Sequence, residues 1–142
     1  MDSVVLDANI IIKWFVNESD SHLALIIREK FINNELEIII PQLLFYEVLN
    51  GLKYTNLFSK EELNTVVDSL LNYGFKIINL NDKMWKSAIN LAMDHDITIY
   101  DAAYIAIAIE NQTQLYTADM KIQKKLPNNL KKYILNISEI KF

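Results

Sequence analysis

Four acidic residues stand against unusually apolar sequence. Asp7 lies inside "VVLDANIIIKWF" (Val4 to Phe15), and Glu47 lies inside "PQLLFYEVLNGL". Asp101 heads "DAAYIAIAIE", and Asp119 sits in "LYTADMKI". A charge beside core-forming residues needs a reason, because burying it unpaired is costly. Each has an ordinary one. Asp7 could close a strand or cap a helix. Asp101 could be a helix N-cap, and Asp119 a turn residue or the cap of "MKIQKKL". Glu47 could be an exposed helix residue, although Leu43, Leu44, Val48 and Leu52 put it at the border of a buried face. Together the four could do different chemistry. Ionised carboxylates packed together repel, and their pKa values rise. A hard divalent cation relieves that repulsion, and Mg²⁺ and Mn²⁺ prefer oxygen ligands. Such a cation lowers the pKa of a bound water and stabilises charge on a phosphoryl group under attack. An all-carboxylate set therefore points to metal-dependent phosphodiester hydrolysis.

That chemistry requires elements that bring distant residues to one place. "SVVLD" (Ser3 to Asp7) and "EIII" (Glu37 to Ile40) read as short buried strands, as do "FKIINL", "QLYT" and "YILNI". Between them lie helical patterns. "SHLALIIREKFI" carries apolar residues at helical spacing. Pro41 suits the first turn of a helix that continues through "QLLFYEVLNGLKY". Ser59 and Glu62 fit a capping box for a helix running to about Tyr73. "DKMWKSAINLAMDH" places Trp85, Ile89, Ala92 and Met93 on one face. "YDAAYIAIAIEN" alternates isoleucine with alanine as a strand would, but its length and alanine content favour a buried helix. Strands alternating with helices argue an α/β domain with a mainly parallel sheet covered on both faces. In such sheets sites form at the carboxyl ends of the strands, and all four acids fall on that edge.

Composition narrows the alternatives. The chain has 142 residues, 51% of them hydrophobic, which suits one compact domain spanning residues 1–142. It has no cysteine, so disulfides, thiolate metal sites and cysteine nucleophiles are excluded. His22 and His95 cannot build a histidine-rich zinc site, and read as surface or cap residues. No apolar run reaches the roughly 18 residues that cross a bilayer. The start "MDSVVLD" has no basic region of the signal-peptide kind, so the expected location is the cytoplasm. The net charge of −4 argues against nucleic-acid binding through an overall positive field, but not against an acidic metal-dependent nuclease. The tail carries Lys121, Lys124, Lys125, Lys131, Lys132 and Lys141 against Glu139, a pattern that ordinarily means a solvated surface. No Gly-rich phosphate loop is present, and no G-x-S-x-G elbow. A haloacid-dehalogenase-type phosphatase would want an aspartate where this chain has Asn9. A receiver domain would place two acids together, with a lysine after a late strand.

At these residues the chain resembles the PIN-domain ribonucleases, most closely the VapC-type toxins of toxin–antitoxin pairs. The matching pieces are "VVLDANIIIKWF", "PQLLFYEVLNGL", "ITIYDAAYIAIAIE" and "LYTADMKI", in the family's order and spacing. The resemblance implies a three-layer α/β/α fold with a short, mainly parallel sheet. It implies an endoribonuclease whose Asp7, Asp101 and Asp119 bind Mg²⁺ or Mn²⁺, with Glu47 completing the site. Asn9 would support Asp7 or a nearby water, and Thr117 would do likewise beside Asp119. It also implies an RNA substrate and cleavage that leaves a 5′-phosphate and a 3′-hydroxyl. The implied partners are a cognate antitoxin offering a basic segment to the acidic pocket, and a second copy of the chain. Ala8 departs from the family, many members of which carry a hydroxyl residue there. Arginine is scarce, so phosphate contacts would fall to Lys13, Lys53, Lys121 and Lys124. A binding module of this fold, or a housekeeping nuclease without an antitoxin, would share the same four acids. The apolar segments around Trp14 and Phe15, and from Phe45 to Leu49, are candidates for the dimer surface.

Overall fold

The computed structural model describes residues 2–142. Five parallel strands form one sheet: β1 (Asp2–Leu6), β2 (Leu36–Pro41), β3 (Lys76–Ile78), β4 (Leu115–Thr117) and β5 (Ile134–Asn136). The spatial order is β3-β2-β1-β4-β5, so every described strand ends on the same edge. The α/β reading with a parallel sheet therefore holds. From β1 the chain steps outward to β2 and β3, then crosses back to β4 and β5. The reversal lies between β1 and β4, where open α/β sheets form their crevice.

The helices are α1 (Ala8–Ile12), α2 (Ser21–Ile32), α3 (Leu43–Tyr54), α4 (Lys60–Asn72), α5 (Asp82–His95), α6 (Ile99–Glu110) and α7 (Met120–Lys125). Helix α6 is the centre of the core. Ala102 to Ala108 are all buried, and the helix packs on α5 and against β1, β2 and β4. Its isoleucine–alanine alternation is that of a helix with no solvent face, whose alanines let neighbours approach closely. Helix α4 starts with the expected capping box. The Glu62 N–H donates to Ser59 Oγ at 3.1 Å, and the Ser59 N–H donates to Glu62 Oε1 at 3.0 Å.

Three expectations need correction. Pro41 does not open a helix. It ends β2 in register with Ile78, a strand-end position where its missing N–H costs little, and α3 begins two residues later. The row Trp85, Ile89 and Met93 does not face the core. Helix α5 buries Met84, Ala88 and Leu91 instead and leaves Met93 80% exposed. Trp14 is not a surface contact either. Its indole N–H donates to the Ala24 carbonyl at 2.9 Å, and its ring packs in a cluster with Tyr73 and Phe75. Phe45 and Val48 are likewise buried. The apolar residues after Asp7, which show no clear period, form α1. Gly51 lets α3 approach it, since a Cβ there would lie 2.6 Å from Ile12 Cδ1.

Candidate active site

Asp7 follows the last residue of β1 and occupies the N-cap position of α1, yet its side chain caps nothing. It is 7% exposed and is braced from the neighbouring strand end. Thr117 Oγ1 donates to Asp7 Oδ2 at 2.9 Å. Asn9 Nδ2 donates to the same oxygen at 3.3 Å and to Thr117 Oγ1 at 3.2 Å. The Ala118 N–H donates to Asn9 Oδ1 at 3.1 Å, which fixes the orientation of the amide. The Asp119 N–H donates to Thr117 Oγ1 at 3.1 Å. Thr117 thus spends its one proton on Asp7 and accepts two bonds, welding the ends of β1 and β4 at the topological reversal. Burial dominates the electrostatics of Asp7. It pushes the carboxyl up to about 7, with Asp101 and Glu47 adding repulsion and the Thr117 bond opposing it.

The other acids arrive from three more elements. Glu47 lies in the second turn of α3, half-buried, and accepts from the Tyr104 hydroxyl at 2.7 Å. Its carboxyl is raised chiefly by burial, against that bond, with help from Asp101. Burial and the adjacent carboxylates hold the Tyr104 hydroxyl far above its usual range, so it stays a protonated donor. Asp101 is not the cap of α6. Thr98 fills that role, accepting from the Asp101 N–H at 3.0 Å, so the Asp101 carboxylate is not spent on capping α6. The Asp101 carboxyl is raised by burial first and by Asp119, while Thr98 and Lys125 pull it down. Asp119 does cap α7, accepting from the Lys121 N–H at 2.9 Å, and keeps its second oxygen unused by that bond.

The expected lysines divide. Lys13 is buried, and its ammonium donates to the Ser19 carbonyl at 2.6 Å and to Glu18 at 3.3 Å, closing the α1–α2 connection instead of facing solvent. Lys53 lies in the last turn of α3, six residues beyond Glu47 and thus roughly 9 Å down a helix that runs away from the rim. Lys121 lines a cavity of about 350 Å³ with Asp101, Asp119 and Lys125. Lys124 lies on the other side of α7, among Gln114, Gln123 and Glu139. Sequence reasoning missed the Tyr104–Glu47 bond and the Thr98 cap. The latter was visible in "TIYD", a threonine three residues before an acid.

The donor types suit a hard divalent cation: carboxylates from four elements, three of them with pKa values raised by burial first and by neighbouring carboxylates after it. Among the described residues no three His, Asp or Glu side chains are grouped closely enough to hold a metal ion by themselves. A cavity of about 620 Å³ lies at the opposite sheet edge between Asp2, Lys30, Thr113 and Phe142 and contains none of the four acids.

Residues 4–127 match the family model described as the PIN domain. The chain is 31% identical over 129 residues to Ribonuclease VapC3 of Pyrobaculum aerophilum, covering 87% of this chain and 95% of that protein. Among solved structures, a toxin–antitoxin complex from Klebsiella pneumoniae has a chain that superposes with a TM-score of 0.68 at 20% identity. That match covers 96% of this chain and 99% of the other. VapBC2 from Rickettsia felis, bound to a DNA fragment from its promoter, gives 0.70 at 20% identity, covering 94% and 98%. At that identity these structures speak to the fold.

Proposed function

The chain belongs to the PIN-domain family, and on that premise we propose that it is a metal-dependent endoribonuclease acting as the toxin of a VapBC-type toxin–antitoxin pair. The observation that carries this reading is Asp7. It is buried and braced by Thr117 and Asn9, and it lies close enough to Glu47 and Asp101 for their charges to raise its pKa, while capping no helix. A cap or an ion pair would account for a carboxylate kept at that expense, and Asp7 has neither.

Asp7, Asp101 and Asp119 hold Mg²⁺ or Mn²⁺, with Glu47 completing the set. When bound, the cation supplies a water of lowered pKa and compensates charge on the phosphoryl oxygens. The rest is the work of this chain. Thr117 and Asn9 fix the Asp7 carboxylate against rotation, so the oxygen that accepts neither of their bonds faces the cluster. Tyr104 orients Glu47 in the same way, leaving its second oxygen to accept a proton from a water near the scissile phosphate. Burial of Asp7, and in part of Glu47, puts these groups in a low dielectric, where each contact is stronger. An antitoxin blocks the site by offering a basic residue to the same acids. The Klebsiella and Rickettsia neighbours, described respectively as a toxin–antitoxin complex and as VapBC2 on promoter DNA, support that partner.

The test is incubation of the purified chain with total RNA, with and without Mg²⁺ or Mn²⁺. Cleavage that needs the metal and disappears in Asp7→Asn and Asp101→Asn, both folded by circular dichroism, is the expected result. Full activity in either variant overturns the assignment.

A further inference from the structure

Helix α7 carries two lysines one turn apart, Lys121 and Lys125, and positions i and i+4 share a helix face. Both line the cavity of about 350 Å³ whose other walls include Asp96, Thr98 and the carboxylates Asp101 and Asp119. Lys125 is held in place: its ammonium donates to the Asp96 carbonyl, at the C-cap of α5, at 2.9 Å. One of its three protons is used and two remain. A lysine whose tip is already positioned loses less freedom when it takes up a ligand. Asp119 caps the same helix, so one element carries the acid and both lysines.

Resting on the nuclease reading above, we propose that Lys121 and Lys125 form a phosphate subsite, which seats the backbone phosphate adjacent to the one cleaved. The chemistry selects this ligand. The cavity joins two cations to two metal-binding carboxylates, so an anion drawn to the lysines lies directly beside the cluster. A single-stranded nucleic acid presents phosphates in series, one to each half of such a site. Lys124, on the far side of α7, takes no part. Lys125 is thereby a substrate contact, and Asp96 is its positioning partner through the main chain.

The test pairs Lys125→Met and Lys121→Met with Lys141→Met, which removes the same charge at the opposite sheet edge. Binding of a short, fluorescein-labelled single-stranded RNA of random sequence is followed by anisotropy against KCl concentration. This is done with Mn²⁺ in an Asp101→Asn background, where the RNA is not consumed. Steady-state cleavage of the same RNA by the otherwise unaltered chain is run beside it. Each site lysine removed should reduce the slope of log affinity against log salt by about 0.7, the share of one single-strand phosphate. It should also raise KM several-fold while kcat stays within about twofold. Lys141→Met should match the parent. A parent chain that cuts no RNA defeats the proposed activity but leaves the anisotropy reading intact. Unchanged salt slopes in both site variants overturn the subsite whether or not the parent cleaves.

Discussion

Burying Asp7 costs the fold stability once its carboxyl ionises, and the sign of that cost can be worked out. Its carboxyl moves from 3.8 to about 7 on folding. Between those values the folded chain holds a proton that the unfolded chain has lost, so stability falls as pH rises through the window. A shift of that size corresponds to at most about 4 kcal/mol once Asp7 is fully ionised. Glu47 and Asp101 are raised too and act in the same direction. An amide cannot ionise. Metal-free Asp7→Asn should therefore melt several degrees above the parent near about pH 8, with the gap closing toward about pH 5. Saturating Mn²⁺ should narrow it by stabilising the parent alone. A gap independent of pH in thermal melts would show that it does not arise from ionisation of Asp7. At this scale the sequence was half legible. The four acids were identifiable because each interrupts or flanks a core-forming segment. Their partners were not, because the Thr117–Asp7 and Tyr104–Glu47 contacts join residues 110 and 57 positions apart. Lys13 misled because a lysine near an acidic motif and a lysine closing a loop look the same in one dimension.

Among the elements, α1 and α6 decide the shape of the site, and both are held by close packing. Gly51 is a close contact between α1 and α3, the helices that carry Asn9 and Glu47, with no room for a Cβ beside Ile12. Gly51→Val would drive two methyl groups into Ile12. It should cost about 1–3 kcal/mol in urea unfolding, part of which returns when Ile12→Ala is added. Loss of stability with no recovery in the double variant would place the strain elsewhere. The longer helices and the capping box at Ser59 were legible from period and cap chemistry. So was α6, where length and alanine content outweighed a strand-like alternation. The five-residue α1 was not, because a buried single turn has no polar face to reveal its period. Pro41 was misassigned because a proline that opens a helix and one that closes a strand occupy nearly the same place in a strand–helix junction.

For the whole molecule, the parallel topology is what brings four scattered acids to one edge of the sheet, and strand–helix alternation was enough to anticipate that edge. The same alternation could not say which apolar faces stay open. With Trp14, Phe45 and Val48 inside, one apolar surface exposed for a second copy is the row Trp85, Ile89 and Met93 on α5, where Trp85 lines a cavity with the exposed Ile99 and Tyr100. If the chain pairs through it, Ile89→Lys should halve the mass seen by light scattering without lowering the melting temperature of the subunit. An unchanged dimer would move the interface elsewhere. The proposed reaction turns on water, activated at the carboxylate rim, being the group that attacks RNA. The measurement that reads this directly is the chemistry of the cut ends. Attack by water leaves a 5′-phosphate that ligates to an acceptor without prior kinase treatment, together with a free 3′-hydroxyl, and these products should vanish in Asp7→Asn and Asp101→Asn. Ends carrying a 2′,3′-cyclic phosphate and a 5′-hydroxyl would show that the ribose itself is the nucleophile, and would contradict water activation by Asp7, Glu47, Asp101 and Asp119.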